Sequence, residues 1–375
     1  MERKTIRITA VIGTRPEAIK LAPVIWAARA RREQFEVSVV RTGQHRELVD
    51  PFMDELGLKA DFDLGVMKPN QDLSYVLSES VRGLSAFIVR ERADWVLVQG
   101  DTTSAFAGAI AAFYNHRRVG HVEAGLRTGD RWNPFPEEVN RALIARVADL
   151  HFAPTEQARL NLLKEAIASE EIVVTGNTVI DAMVQLLSRS SATEQHSDNQ
   201  NYILVTVHRR ENHGTALADI CDGLVTLLEQ NTDVSAIISV HPNPNVREIL
   251  IGRLSGHPRV FLKEPLGYTE FLRVLNGALL VLTDSGGVQE ECAALGKPVL
   301  VLRSHTERPE AVKAGVSIVV GTDSMRISKE GTRQIDKAKV SRKSSSFSTI
   351  FGDGHASTRI LDALLLAKTR DPDGK

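Results

Sequence analysis

The stretch LTDSGGVQEECAALGKP, from Leu282 to Pro298, decides the fold class of this chain. It overlaps the apolar run ALLVL at residues 278–282, which predicts a buried strand. The tetrapeptide DSGG at 284–287 ends that strand, and the pattern predicts a helix from Val288. A strand that passes directly into a helix is typical of a βαβ unit in a parallel sheet.

The two glycines of this turn also predict an anion site. Gly286 and Gly287 allow backbone N–H groups to converge on one point, and the helix N-terminus adds a partial positive charge. This arrangement suits a diphosphate. Glu290 and Glu291 would repel phosphate, so we expect one of them to meet neutral sugar hydroxyls. An ordinary strand-to-helix turn without a ligand is the alternative, and this turn alone leaves it open.

Composition narrows the classes of protein to consider. The 375 residues suffice for two domains, and 46 Lys and Arg against 47 Asp and Glu give no support to a nucleic-acid or membrane-surface role. Cys221 and Cys292 lie in predicted helices and suit a reducing compartment better than a disulfide framework. The N-terminal segment lacks a signal-peptide pattern, and no apolar run reaches transmembrane length. We therefore expect a cytoplasmic protein.

Short apolar runs alternate with helical patterns in two series, which the polar segment 188–201 separates. The runs are rich in Val, Ile and Leu without strict alternation, which indicates parallel strands covered on both faces. The first predicted series is Ile6–Ile12, Phe35–Val40, Trp95–Val98, Val119–Val122, Leu150–Phe152 and Ile172–Val174. The second is Ile203–Val207, Ala236–Val240, Val260–Leu262, Leu279–Leu282, Val299–Leu302 and Ser317–Val320. We predict two doubly wound α/β domains, residues 1–175 and 176–354, facing each other across a cleft.

The C-terminal part of the chain has weaker patterns. Residues 324–348 are charged and serine-rich with weak helical patterning, and the basic pair at 342–343 indicates a solvated surface. Residues 355–368 predict an amphipathic final helix.

Ligands of such sheets bind beyond the carboxyl ends of the strands, so the residues that follow each strand are candidates. After the first strand, Arg15 and Lys20 bring cations to a helix that Pro16 starts. Arg15 could equally be a surface residue beside an ordinary helix. The second strand leads into TGQHRE at 42–47, where His45 taken alone is more typical of a surface histidine.

Carboxylates follow the next strands of the first half. Asp101 lies in QGDTTS, Glu123 in EAGLR, and Glu137 and Glu138 end the segment NPFPEE. Asp101 could simply cap the following helix. Helix capping readily explains any one of these acids, but it does not readily explain all of them together.

The second half presents histidines and arginines instead. His208 begins HRREN, His241 begins HPN, and Arg308 lies in TERPE beside a helix that proline starts. We infer that a nucleotide held by the second half would place its attached group against the acids of the first half.

Other chemistries lack their motifs. The sequence has no HExxH, paired CxxC, Walker A lysine motif or GxSxG, and its histidines lack metal-ligand spacing. Its GDG at 352–354 does not follow a strand within a βαβ unit, so an NAD site is poorly supported. We therefore expect neither a metal nor a cofactor.

Together these segments resemble the non-hydrolysing bacterial UDP-N-acetylglucosamine 2-epimerases, from about residue 8 to residue 322 and again at GDGHAS. The matching motifs are GTRPEAIKLAP, TGQHRELVD, GDTTSAFAGAIAAFY, GHVEAGLRTGD, NPFPEEVNR, ADLHFAPTEQA, VTGNTVIDA, HRREN, DSGGVQEE, GKPVLVLR and TERPEAV. The resemblance implies a GT-B-type fold, with two Rossmann-like domains. It also implies that the final helix, about 355–375, packs back on the first domain.

The resemblance implies interconversion of UDP-N-acetylglucosamine and UDP-N-acetylmannosamine, through elimination of UDP to 2-acetamidoglucal and re-addition. The implied catalytic residues are Asp101, Glu123, Glu137 and His208. The implied substrate-binding residues are Arg15, Lys20, His241, Phe271, Ser285, Gly286, Gly287, Glu291 and Arg308. Which carboxylate removes the proton and which returns it stays open. The sequence departs from the commoner family pattern at Gln99, where many members have His.

The resemblance further implies a homodimer that supplies a cell-envelope polysaccharide precursor. Some members bind a second UDP-N-acetylglucosamine as activator, and Gln44, His45 and Arg210 match parts of that allosteric site. We expect no nucleic-acid or membrane partner. Three other functions compete with this interpretation: an epimerase of a UDP-diacetamido-uronic acid, a GT-B glycosyltransferase, and a non-catalytic nucleotide-sugar sensor.

Overall fold

The computed structural model describes residues 5–43, 46–68, 71–190, 201–306, 308–341 and 349–370. The chain divides into two compact units. The first comprises Met1–Ala182 with Gly352–Lys375, and the second comprises Met183–Phe351. Each unit contains one parallel sheet with helices.

The sheet of the first unit has seven described strands in the order β3-β2-β1-β4-β5-β6-β7. Its strands are β1 Ile6–Ile12, β2 Phe35–Arg41, β3 Phe62–Asp63, β4 Trp95–Gln99, β5 Arg118–Val122, β6 Leu150–Ala153 and β7 Ile172–Val174. Its connecting helices are α1 Arg15–Ala30, α2 Arg46–Glu55, α3 Leu73–Glu91, α4 Thr103–Tyr114, α5 Glu137–Val147, α6 Glu156–Lys164 and α7 Thr178–Ser190, the last of which runs on into the second unit. Because β1, β4 and β5 are neighbours, the loops after these strands lie side by side.

The sheet of the second unit has six described strands in the order β10-β9-β8-β11-β12-β13. They are β8 Tyr202–Thr206, β9 Ser235–Ser239, β10 Val260–Lys263, β11 Leu280–Thr283, β12 Val299–Val301 and β13 Ser317–Val319. Its helices are α8 Thr215–Gln230, α9 Pro244–Leu254, α10 Tyr268–Gly277, α11 Gly286–Ala294, α12 Pro309–Lys313 and α13 Ser324–Ser341. The strand order reverses between the central strands β8 and β11. The carboxyl ends of these two strands therefore form a topological switch point, where α/β sheets bind ligands.

Two doubly wound parallel sheets confirm the predicted fold class, and they are the Rossmann-like units of a GT-B-type fold. The predicted strands all occur, and the structure adds the two-residue strand β3. β8 and β9 each begin and end one residue earlier than predicted, because Val207 and Val240 are buried but lie beyond the paired residues. A hydrophobic pattern predicts which residues are buried. It therefore places the end of a strand too late where burial continues past the last hydrogen-bonded residue.

Two helices differ from their predictions. α11 begins at Gly286, two residues before the predicted Val288, so both glycines belong to its first turn. The segment predicted as weakly helical forms the 18-residue helix α13, which buries Ile327 and Ile335 in the core of the second unit. Gly331 lets this helix approach Leu227 of α8 closely. The basic pair at 342–343 lies outside the described residues.

The final helix α14, Ala356–Arg370, belongs to the first unit. Asp181 on α7 accepts hydrogen bonds from the backbone N–H groups of Ala356 and Ser357, at 3.2 and 2.8 Å. Asp362 on α14 pairs with Arg31 at the end of α1, at 2.6 Å. Within the described ranges, no helix is long and apolar enough to cross a membrane.

Candidate functional site

Asp101 lies in a turn between β4 and α4 that several side chains hold. The Arg141 guanidinium pairs with the Asp101 carboxylate (Nη2 to Oδ2, 2.5 Å), and the Asn140 side chain donates to the Asp101 carbonyl oxygen at 2.9 Å. His121 Nε2 donates to the carbonyl oxygen of Gly100 at 2.7 Å. Gly100 has a φ of 70°, which favours glycine at this point of the turn. The position of Asp101 is therefore fixed through both its backbone and its side chain.

The surroundings of Asp101 favour its protonated form. Burial raises the pKa of this carboxyl above its usual value, Arg141 opposes the rise, and the negative charges of Glu123 and Glu137 add to it. A carboxyl with a raised pKa keeps its proton to a higher pH than an ordinary carboxyl does, which suits it to acid–base chemistry.

Glu123 is held in a different way. It follows β5 with a φ of 64°, a left-handed conformation that is uncommon outside glycine and is often found at functional sites. Its carboxylate accepts hydrogen bonds from Lys20 on α1, from Gln99 at the end of β4, and from Asn177 at 2.9 Å. These contacts with an ammonium and two amides hold the Glu123 carboxylate in place.

Glu17, which the sequence analysis did not single out, is buried in the first turn of α1. Its carboxylate accepts from the backbone N–H groups of Gly13 (2.7 Å) and Thr14 (2.5 Å) and from the Thr102 hydroxyl (2.5 Å). It therefore joins the loop after β1 to the residue that follows Asp101. Burial raises the pKa of Glu17 to about 7, although these hydrogen bonds act in the opposite direction.

The remaining first-unit candidates lie at the starts of helices. Glu137 is the first residue of α5 and is half-buried. Arg15 is exposed at the start of α1, and its guanidinium lies over the ring of Phe52, 4.9 Å from the ring centre. Lys20, predicted from sequence to present a cation at this helix, is buried against Glu123.

In the second unit, Asp284 organises the loop after β8. This fully buried carboxylate accepts from the backbone N–H groups of His208 (3.0 Å) and Arg209 (2.9 Å) and from the Asn212 side chain (2.9 Å). His208 Nδ1 lies 3.0 Å from Asp284 Oδ1. Burial alone would raise the pKa of Asp284, but the contacts with His208, Arg209 and Asn212 outweigh it and lower the pKa.

His208 is consequently oriented by its neighbours. Because Nδ1 faces Asp284, Nε2 points away from that carboxylate and is available to a ligand. The ring of His241, which follows β9, stacks beside it with 6.0 Å between centroids. The side chain of His208 is 39% exposed, so the ring is held at its base and accessible at its tip.

The predicted anion site is the N-terminus of α11. Ser285 is the residue before the helix, and Gly286 and Gly287 form its first turn. A Cβ on Gly286 would lie 3.6 Å from the Arg308 guanidinium, while one on Gly287 would meet no atom within 4 Å. Arg308, which pairs with Glu290, therefore lies beside these backbone N–H groups. A cation and a helix N-terminus together form a setting suited to phosphate.

Two further candidates flank this helix. Glu291 on α11 accepts a hydrogen bond from the Tyr268 hydroxyl at 2.7 Å. Phe271 is half-buried on α10. The allosteric candidates cannot be placed in the same way: Gln44, His45 and the side chain of Arg210 lie outside the described residues.

Sequence reasoning missed Glu17, Asn140, Arg141, Asn177 and Asp284 as parts of these arrangements. Two of them carried a usable signal. Glu17 follows the helix-capping Thr14 by three residues, a capping-box spacing, and Arg141 follows Glu137 by four, which puts both on one helix face. Asn177 carried no local signal, because its contact with Glu123 joins residues 54 positions apart.

Comparisons with known proteins identify the family of this chain. A family model described as UDP-N-acetylglucosamine 2-epimerase matches residues 27–365. The UDP-N-acetylglucosamine 2-epimerase of Escherichia coli K12 is 44% identical over 371 residues, covering 96% of this chain and 98% of that protein.

Solved structures give the same result. The UDP-GlcNAc 2-epimerase from Neisseria meningitidis, crystallised with UDP-GlcNAc, matches with a TM-score of 0.90 and 42% identity, over 96% of this chain and all (100%) of the other. The Methanocaldococcus jannaschii UDP-GlcNAc 2-epimerase, in complex with UDP-GlcNAc and UDP, matches with a TM-score of 0.83 and 34% identity over 96% of this chain and 100% of the other.

Proposed function

This chain belongs to the UDP-N-acetylglucosamine 2-epimerase family, and we propose that it interconverts UDP-N-acetylglucosamine and UDP-N-acetylmannosamine. One observation carries the proposal: Asp101 and Glu123 follow the neighbouring strands β4 and β5, in a fold that matches a relative crystallised with UDP-GlcNAc. Acids at the carboxyl ends of adjacent strands lie where parallel α/β sheets bind their ligands, which suits them to act on a substrate.

The reaction has to break a C–H bond that is not acidic. Carbon 2 of the sugar is not next to a carbonyl group, so simple proton abstraction is slow. Expulsion of UDP solves this: a carboxylate takes the C2 proton, the electron pair forms the C1–C2 double bond, and the C1–O pair leaves with the β-phosphate. The resulting 2-acetamidoglucal is protonated at carbon 2 on the opposite face, and UDP adds back to carbon 1.

In this proposal the first unit supplies the acid–base groups. Asp101, with its raised pKa, is suited to accept and return a proton, and Glu137 at the start of α5 is close enough to influence that pKa. Glu123 is held by Lys20, Gln99 and Asn177 and acts electrostatically near the developing positive charge at carbon 1.

The second unit binds UDP in this proposal. Ser285, Gly286, Gly287 and Arg308 receive the diphosphate at the N-terminus of α11, and they stabilise it as a leaving group. Glu291 binds the ribose hydroxyls, and His208 contacts the diphosphate through the nitrogen that faces away from Asp284. Phe271 and His241 contact the uridine part, and Arg15 and Lys20 of the first unit act near the sugar and phosphates.

Several finer expectations stay predictions. They are the homodimer, the cytoplasmic location, the role in polysaccharide supply, and activation by a second UDP-N-acetylglucosamine through Gln44, His45 and Arg210. Sigmoidal substrate kinetics would support the last of these.

Incubation with UDP-N-acetylglucosamine in deuterium oxide, without NAD, tests the proposed function. We expect the manno isomer to form and deuterium to appear at carbon 2 of both isomers, because the proton taken from carbon 2 exchanges with solvent. A glycosyltransferase or a sensor would leave carbon 2 protonated. Unlabelled substrate at equilibrium would therefore overturn the proposal.

A further inference from the structure

Arg141 on α5 bridges two carboxylates. It is 5% exposed, its Nη2 lies 2.5 Å from Asp101 Oδ2, and its Nη1 lies 3.3 Å from Glu138 Oε2. A buried arginine is costly unless its charge is matched, and its planar fork fixes the direction of each partner. The guanidinium thus defines where the Asp101 carboxylate can lie.

The second carboxylate of this bridge is anchored to the backbone. Glu138 accepts hydrogen bonds from the N–H groups of Thr128 (3.1 Å) and Gly129 (3.0 Å), in the loop that follows β5. Asn140, the residue before Arg141, donates to the Asp101 carbonyl oxygen. Helix α5 therefore contacts the Asp101 turn twice, through the uncharged amide of Asn140 and through the cation of Arg141.

The contacts from Asn140 and Arg141 differ in their electrostatic effect on Asp101. Four charged side chains act on Asp101: Arg141 and Glu137 from α5, Glu123 from the loop after β5, and Lys20 from α1. The two cations favour the Asp101 carboxylate and the two anions oppose it, with Arg141 the stronger cation. Arg141 is therefore the main counterweight to burial.

We propose that Arg141 is a positioning residue that sets the pH range over which Asp101 exchanges a proton with the sugar. The inference rests on the proposed epimerase function. It adds Arg141, which lies one helical turn after Glu137 on α5, to the residues that support the reaction. Asn140 fixes the same turn without a charge, so it separates the geometric contribution from the electrostatic one.

Arg141→Met in the full-length protein tests the inference, since it keeps the bulk and removes the charge. We expect the limb of the kcat/KM profile that belongs to Asp101 to move to higher pH by about one unit. Arg141→Lys should restore part of that movement. Asn140→Ala is the matched control: it should lower the rate at every pH without moving the limb.

A second measurement does not depend on turnover. Titration of the ¹³C-labelled Asp101 carboxyl by NMR, assigned by its absence in Asp101→Asn, should show the same upward movement in Arg141→Met. An unmoved titration in a folded variant would overturn the inference. If wild-type protein fails to label carbon 2 in deuterium oxide while the titration still moves, the proposed function fails and the coupling of Arg141 to Asp101 stands.

Discussion

Asp101 in the first unit and Asp284 in the second both follow the carboxyl end of a strand, yet their surroundings act on them in opposite directions. The pKa of Asp101 is raised by burial and by two neighbouring acids. The pKa of Asp284 is lowered, because donors from His208, Arg209 and Asn212 outweigh its burial. Equivalent places in two similar sheets thus hold a carboxyl that can change its protonation state and one that stays charged.

The comparison shows that a position at the end of a strand does not by itself determine what a carboxyl group does. The number of hydrogen-bond donors around the carboxylate distinguishes Asp101 from Asp284. Asp284 holds the loop that presents His208. Among the described residues the Asp101 carboxylate forms one ion pair, with Arg141, which leaves it able to bind a substrate.

Asp101→Asn should have the largest effect, and it should act on turnover alone. Loss of an acid–base group lowers kcat by about 10³-fold. The protein should stay folded, because the asparagine oxygen can still accept from Arg141 and Glu138 remains a charged partner of that guanidinium. Steady-state kinetics and UDP binding by calorimetry check both parts.

Asp149→Asn is the matched control for that variant. Asp149 also has a pKa raised by burial, but it precedes β6 and accepts from the Val119 backbone N–H at 2.7 Å, at the opposite edge of the sheet. It should retain turnover. Loss of folding in Asp101→Asn, or equal losses of turnover in both variants, would contradict the role of Asp101.

Asp284→Ala should show the reverse behaviour. It leaves two backbone N–H groups and the Asn212 amide without their buried partner, so the second unit should lose about 3 kcal/mol of stability. Amide hydrogen exchange of peptides covering residues 203–212, measured by mass spectrometry, reports this loss directly. Unchanged protection there would mean that Asp284 does not hold the loop.

Glu17→Gln should remove a pH dependence of stability. The folded-state pKa of about 7 exceeds the ordinary 4.5, so the folded protein binds more protons than the unfolded chain between these values. Stability therefore falls as pH rises through this window, by about 2 kcal/mol between about pH 5.5 and about pH 7.5. In the variant this decline should disappear, since its amide resembles the protonated acid.

Tryptophan fluorescence during urea unfolding measures the Glu17 effect selectively. Trp26, Trp95 and Trp132, all the tryptophans of the chain, belong to the first unit. A decline of the same size in the variant would show that another group carries the pH dependence.

Gln99→Leu should have the smallest effect. It removes one of the three donors to Glu123, and the remaining two keep the carboxylate in place. Turnover should fall about tenfold, equivalent to about 1.4 kcal/mol. Gln157→Leu is the control, because Gln157 contacts Asn161 on α6 and should leave turnover unchanged. Equal rates for the two variants would show that Gln99 does not support Glu123.

The sequence predicted the sheets well because parallel strands are buried on both faces. Runs such as Ile6–Ile12 and Ile172–Val174 have the predicted bounds. β3 escaped prediction because it has only two residues, Phe62 and Asp63, and Phe62 is 38% exposed. Helix α13 was underestimated because its charged residues outnumber the few apolar ones that reach the core.

The sequence predicted which types of side chain follow the strands, but it did not predict which residues those side chains contact. Strand-end residues such as Asp101 and Glu123 stand out because a polar group directly follows an apolar run. Lys20 was predicted from sequence as a substrate-binding cation, and its contact with Glu123, 103 positions away, was not foreseen. Contacts over such separations depend on strand order, which the hydrophobic pattern does not encode.

The chain leaves the first unit after Ala182 and re-enters it at Gly352, so the segment that completes this unit is synthesised only after the whole of the second. Until α14 emerges from the ribosome, the backbone N–H groups that satisfy Asp181 do not exist, and the α1 surface beside Arg31 stays open to solvent. The first unit therefore cannot complete its folding until the last helix has been synthesised. In a protein truncated near residue 350 the α1 surface would stay exposed, and we expect such a protein to aggregate.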